Sequence, residues 1–113
     1  MQLRIDWEKP VIAENDVLRI QTADLNDFYI AAGDDAFAKN NLFFILLNSL
    51  HKYSASGENE KAAHLAFLLA YYLFIALTPP GSCELALYYI KLAISLNPLG
   101  EYSEWLAFIE KGN

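Results

Sequence analysis

The chain changes its hydrophobic rhythm near residue 21. Before that point apolar residues alternate or fall in short runs. After it they recur at helical intervals, with caps and breakers between the periodic stretches. In residues 2–7, QLRIDW, Leu3, Ile5 and Trp7 share one face of an extended chain, and Gln2, Arg4 and Asp6 share the other. Lys9-Pro10 ends that run, and a second β-prone run, Val17 to Ile20, follows the turn-prone Glu14-Asn15-Asp16. The expectation is a short N-terminal β-hairpin covered by helices, with an irregular extended arm over residues 1–21 as the alternative.

Residues 22–113 predict helices. Thr22 is placed to cap a helix running to Ala32, where Gly33 ends it. Asp34 or Asp35 caps a second, near Ala36 to Tyr53. The loop Ser54-Ala55-Ser56-Gly57 leads to a third, about Glu58 to Leu77, with Glu58 and Glu60 at its positive end. Thr78-Pro79-Pro80-Gly81 is the strongest breaker, because neither proline can donate a helical N–H. Ser82 caps a fourth helix to about Asn97, and Glu101 to Glu110 forms a fifth after Pro98-Leu99-Gly100. Short connections make successive helices antiparallel neighbours. The expected fold is mainly α, a single domain over residues 1–113 built as an antiparallel bundle of four to five helices.

Helical wheels sort these elements by depth. The fourth helix confines Glu84, Tyr88, Lys91 and Ser95 to one arc and is apolar around the rest. The third confines Glu60, His64 and Tyr71 to its polar arc, flanked by Phe67, Leu68 and Ile75. Helices apolar over most of their circumference are enclosed by others, so these two are expected as the central pair.

The fourth helix carries Ala86, Ile90, Ala93 and Pro98 at spacings that resemble the second helix of a tetratricopeptide-type repeat. There the alanines allow close backbone approach and the proline stops the helix. Leu96-Asn97-Pro98 is similar to that family's usual ending, and Gly81 falls at its inter-helix position. The resemblance covers about one unit, residues 67–100. It departs in the first helix, where Ala70 replaces an aromatic and Phe74 a small residue. It implies a TPR-like hairpin at the centre of the bundle and a binding groove along Leu68, Tyr71, Ile75 and Thr78. The family's charged clamp for a chain-terminal carboxylate is missing, since Tyr71 and Ile75 stand where a Lys and an Asn would be expected.

Composition narrows the function classes. With 55% hydrophobic and 19% charged residues, the 113-residue chain is not disordered, and its surplus apolar surface belongs in a large core or against a partner. The net charge of -6, with no Lys/Arg cluster, argues against nucleic acid as a partner. The longest apolar stretch, Ala62 to Leu77, falls short of the roughly 20 residues of a membrane span and reads as a core helix. A lone Cys83 rules out an internal disulfide framework, and Met1 to Pro10 lacks a leader pattern, so a cytoplasmic location is expected. No phosphate loop, nucleophile motif or paired metal ligands appear, so no cofactor and no catalytic residue is expected.

Two faces are candidates for partner binding. One is the stripe His64, Leu68, Tyr71 and Ile75 on the third helix, which helix five or the N-terminal arm could instead cover. The other is Phe37 and Phe44, which project among Asn40, Asn41, Asn48, His51 and Lys52 on the second. This second face could equally seat Ile5 and Trp7 or form a homodimer contact. The functional expectation is a protein-interaction module, adaptor or inhibitor-like, for a protein or peptide partner of basic character. The alternatives are a small-molecule binder or enzyme with an interhelical pocket at His64, and a homodimeric structural subunit.

Overall fold

The computed structural model describes Leu3 and residues 8–112. A 3-10 turn, Val17–Arg19, precedes α1 (Thr22–Ala32), α2 (Ala36–Ala55) and α3 (Asn59–Tyr71). A π-helical segment, Tyr72–Leu77, continues α3, and α4 (Ser82–Leu96) and α5 (Gly100–Lys111) complete the bundle. The fold is mainly α.

The N-terminal hairpin is not formed: no strand occurs among the described residues. Its first run falls, apart from Leu3, on residues outside that description. The second run fails for a geometric reason. Val17 and Ile20 are both fully buried. A strand would turn residues three apart to opposite faces, whereas a 3-10 turn brings i and i+3 together. The arm is tied down by side chains of α2. The Ile12 N–H donates to Ser49 Oγ (2.9 Å), and the Tyr53 hydroxyl donates to the Ile12 carbonyl (2.6 Å).

Local chemistry places the helix ends close to expectation. Asp35 Oδ1 accepts from the Ala38 N–H (3.0 Å), so Asp35 caps α2. For α1 the cap position is Gln21, whose N–H donates to the N3 side chain, Asp24 Oδ2 (2.8 Å). Gly33 ends α1 at φ 58°, in the half of conformational space that favours glycine.

The central helix is α3 with its π continuation. From Leu65 to Phe74 every residue is buried. The Asn59–Leu77 stretch is apolar enough to cross a membrane (mean hydropathy 1.4), but most of it is buried inside the protein, as befits a core helix. α2 runs antiparallel to it, since the Tyr72 hydroxyl reaches back to the Lys39 carbonyl (2.6 Å) while Glu58 N–H bonds the Tyr53 carbonyl (2.9 Å).

α4 departs from the expected central pair. It buries one stripe, Ala86, Ile90 and Ala93, while Leu85 and Tyr88 are exposed. Among the described residues its main neighbours are α3, with the π segment, and α5, and Leu85 and Tyr88 on its other side stay open. Between α3 and α4 the Thr78 N–H bonds the Leu73 carbonyl (3.1 Å), the i to i+5 spacing of a π-helix. Thr78 itself sits at φ 43°, a strained conformation for a β-branched residue.

Candidate functional site: an aromatic face at α5

Three aromatic residues of the central helix meet three of α5 in sequence. Phe67 stacks on Tyr102 (ring centroids 5.2 Å). Tyr71 and Trp105 meet edge to face (5.3 Å), as do Phe74 and Phe108 (5.7 Å). The register 67/102, 71/105, 74/108 makes α5 parallel to α3. The periodicity explains the match: positions i, i+4 and i+7 on one helix face i, i+3 and i+6 on the other. Trp105 and Phe108 also contact each other (5.3 Å, 80°), giving the ladder a continuous aromatic surface.

The ladder is buried at one end and open at the other. Tyr102 is enclosed, Trp105 is half-buried and Phe108 is 47% exposed. An open hollow of about 260 Å³ lies over Trp105 and Phe108, with Glu104 at its edge. On the far side α1 also runs parallel to α3. His64 bonds the Ile20 carbonyl, Asn26 Nδ2 donates to the Tyr71 hydroxyl (2.5 Å), and Tyr29 meets Tyr72. Further along the two elements come two exposed isoleucines, Ile30 (75% exposed) on α1 and Ile75 (39% exposed) on the π segment. Trp105 and Phe108 form an apolar face at the open end of the ladder, edged by the exposed Glu104.

The stripe expected on the third helix is split by this packing. Leu68 is fully buried and Tyr71 nearly so, so neither offers a partner a groove. Tyr71 is covered by Trp105 of α5 and Asn26 of α1. The groove face implied by the tetratricopeptide resemblance is closed at the same two positions. Of the stripe, Ile75 is exposed and His64 half-buried.

His64 is half-buried, with Nε2 2.7 Å from the Ile20 carbonyl oxygen. It borders a second hollow, of about 310 Å³, whose apolar walls are Leu18, Ile20 and Phe67 and whose polar edge is Gln21, Thr22, His64 and Glu101. Burial first, then the carboxylates of Glu101 and Glu60, pushes the Tyr102 phenol above its ordinary value. Two acids therefore act on this end of α5.

Phe37 and Phe44 lie on α2 as expected, 67% and 54% exposed, and Phe44 meets Phe43 edge to face (5.2 Å). The seat for Ile5 and Trp7 involves residues outside the described structure. Between the two phenylalanines, the buried Asn41 Nδ2 has no hydrogen-bond partner among the described residues.

Trp105 and Phe108 were not singled out as a binding face from sequence, although the signal was present. Two aromatics three residues apart stand on a helix otherwise rich in Glu, a spacing that reads equally as a buried seam. Among the described residues no group of three or more His, Cys, Asp or Glu could hold a metal ion. Comparison with known protein families, curated proteins and solved structures finds no match to this chain.

Proposed function

We propose that the protein is an interaction module that takes an amphipathic, basic helix of a partner protein on the face formed by Trp105 and Phe108. The observation that carries this reading is the open end of the aromatic ladder. Large rings that continue a buried stack are held rigid by it, so a partner meets a preformed anchor and little side-chain freedom is lost on docking. Trp at the centre of such a face is the residue type that dominates binding energy at interfaces. Charge selects the partner. Glu104 edges the face and the chain carries a net charge of -6, so Lys and Arg flanking an apolar stripe would speed encounter and fix orientation.

The α3–α4 hairpin with α5 parallel to α3 also supports a tetratricopeptide-like use of the bundle. In that use α5 would serve as the first helix of a following unit, and its outer aromatics would receive the ligand. An adaptor or an inhibitor of a basic enzyme fits this description.

The test is selection from a displayed library of amphipathic helical peptides whose polar faces are either Lys/Arg-rich or Asp/Glu-rich. Basic peptides are expected to be enriched, and Phe108→Glu is expected to weaken them at least about thirtyfold, the scale of a lost aromatic anchor. Enrichment of acidic peptides would overturn the charge argument. Loss of binding on Phe44→Glu with Phe108→Glu unaffected would move the site to α2. Concentration-dependent self-association abolished by either variant would instead assign the face to a homodimer.

A further inference from the structure

We propose that α4 pairs with α4 of a second copy of this chain, antiparallel, through the open side that carries Leu85 and Tyr88. This surface is separate from the Trp105 and Phe108 face. At about 100° per residue, Tyr88 stands opposite the buried stripe of Ala86, Ile90 and Ala93, which faces the bundle. Leu85, Tyr88 and Leu92 follow one another at spacings of three and four, those of a helix-pairing seam. Leu85 and Tyr88 are exposed and Leu92 is half-buried. A seam of this kind on the outside of a bundle fits another helix.

Charge identifies that helix. Glu84 and Lys91, both exposed, border the seam on one flank. A rise of about 1.5 Å per residue sets them about 10.5 Å apart along the axis, too far to pair with each other. Among the described residues neither has an ion-pair partner. A uniformly basic or uniformly acidic helix would satisfy one of the two and be repelled by the other.

A second copy satisfies both. In an antiparallel pair about a twofold axis, Leu85 of each copy meets Tyr88 of the other. Glu84 of each then lies about 3 Å along the axis from Lys91 of the other, on the same flank and within side-chain reach. One symmetric contact closes two ion pairs and encloses the seam of both copies. An in-register parallel pair would bring like residues to the same level and form neither ion pair. The contact is weak. Two helical turns bury less than the ~1,200 Å² at which stable interfaces begin. The net charge of -6 on each copy opposes approach. A dissociation constant on the order of 100 μM is expected, so the protomer stands alone at the low micromolar concentrations of an unfolding experiment.

The experiment is sedimentation velocity of the full chain from about 10 μM to about 1 mM, a range that brackets this constant. The native chain is expected to pass from monomer to dimer across it. Glu84→Lys and Lys91→Glu each set like charges against each other twice, and each is expected to weaken pairing at least about tenfold. Mixing the two variants restores both ion pairs in the mixed dimer, so association in the mixture is expected to return close to native strength. Phe44→Glu and Phe108→Glu are expected to leave pairing unchanged, whatever becomes of peptide binding at α5. A chain still monomeric at the highest concentration, single reversals without effect, a mixture that fails to associate, or a dimer lost on Phe44→Glu or Phe108→Glu would each overturn the proposal.

Discussion

Ser49 is fully buried in the middle of α2, and its hydroxyl is used in both directions. It donates to the Ile45 carbonyl one turn back (2.7 Å) and accepts the Ile12 N–H (2.9 Å). The second bond matters more, because a backbone donor left without a partner keeps its full desolvation penalty. Ser49→Ala is therefore expected to destabilise the fold by about 1–3 kcal/mol in urea unfolding, with loss of hydrogen-exchange protection at Ile12. A cost near zero would mean that water replaces the hydroxyl. Such residues are hard to read from sequence. A serine among leucines gives no sign of a partner 37 positions away, and the arm it holds lacks helical periodicity. His64 illustrates the same difficulty. Its place on a polar arc was legible, while its bond to the Ile20 carbonyl depends on where the 3-10 turn lies.

Helices were the legible level of this chain, because their starts and stops are written in local chemistry. Asp35, Gly33 and the Pro79-Pro80 pair act within a few residues of themselves, so their consequences survive any tertiary arrangement. Depth was less legible. α3 and α4 have similar apolar wheels, yet α3 is enclosed and α4 buries only Ala86, Ile90 and Ala93. The wheel reports which sides could be buried, and the number of neighbours decides which are. Two substitutions on α4 separate these statements. Ala93→Leu adds bulk where α4 packs on α3 and is expected to cost about 1–3 kcal/mol. Leu85→Ala, on the uncovered side, is expected to stay within about 0.5 kcal/mol. Comparable costs in denaturant midpoints at constant slope would show that the outer side of α4 is covered. The partner face followed the same logic. Ile75 is exposed, but Leu68 and Tyr71, on the same stripe, are buried, Tyr71 beneath Trp105 of α5 and Asn26 of α1.

At the scale of the whole molecule, the core's dependence on tyrosine makes its stability sensitive to alkali. Tyr53, Tyr72, Tyr89 and Tyr102 all have phenols raised above the ordinary value of 10.0, with burial the leading cause in each. Tyr72 is the most strongly raised; its hydroxyl donates to the Lys39 carbonyl at 2.6 Å, and the neighbouring Tyr29 adds to the shift. The sign follows from proton counting. Below the ordinary value the phenols are protonated in both states and contribute no pH dependence. Above it the unfolded chain releases protons that the fold retains, so the folded state binds more, and stability falls as pH rises towards the folded values. Urea midpoints are therefore expected to be level from pH about 8 to about 10 and to drop beyond, with tyrosinate absorbance appearing only as the fold is lost. Tyr72→Phe separates the hydrogen bond from the titration. It removes the bond to Lys39, costing about 1 kcal/mol near neutrality, and removes the most strongly raised phenol, so its alkaline decline is expected to be shallower than that of the native chain. An equally steep decline in the variant would show that the fold does not hold Tyr72 in its protonated form.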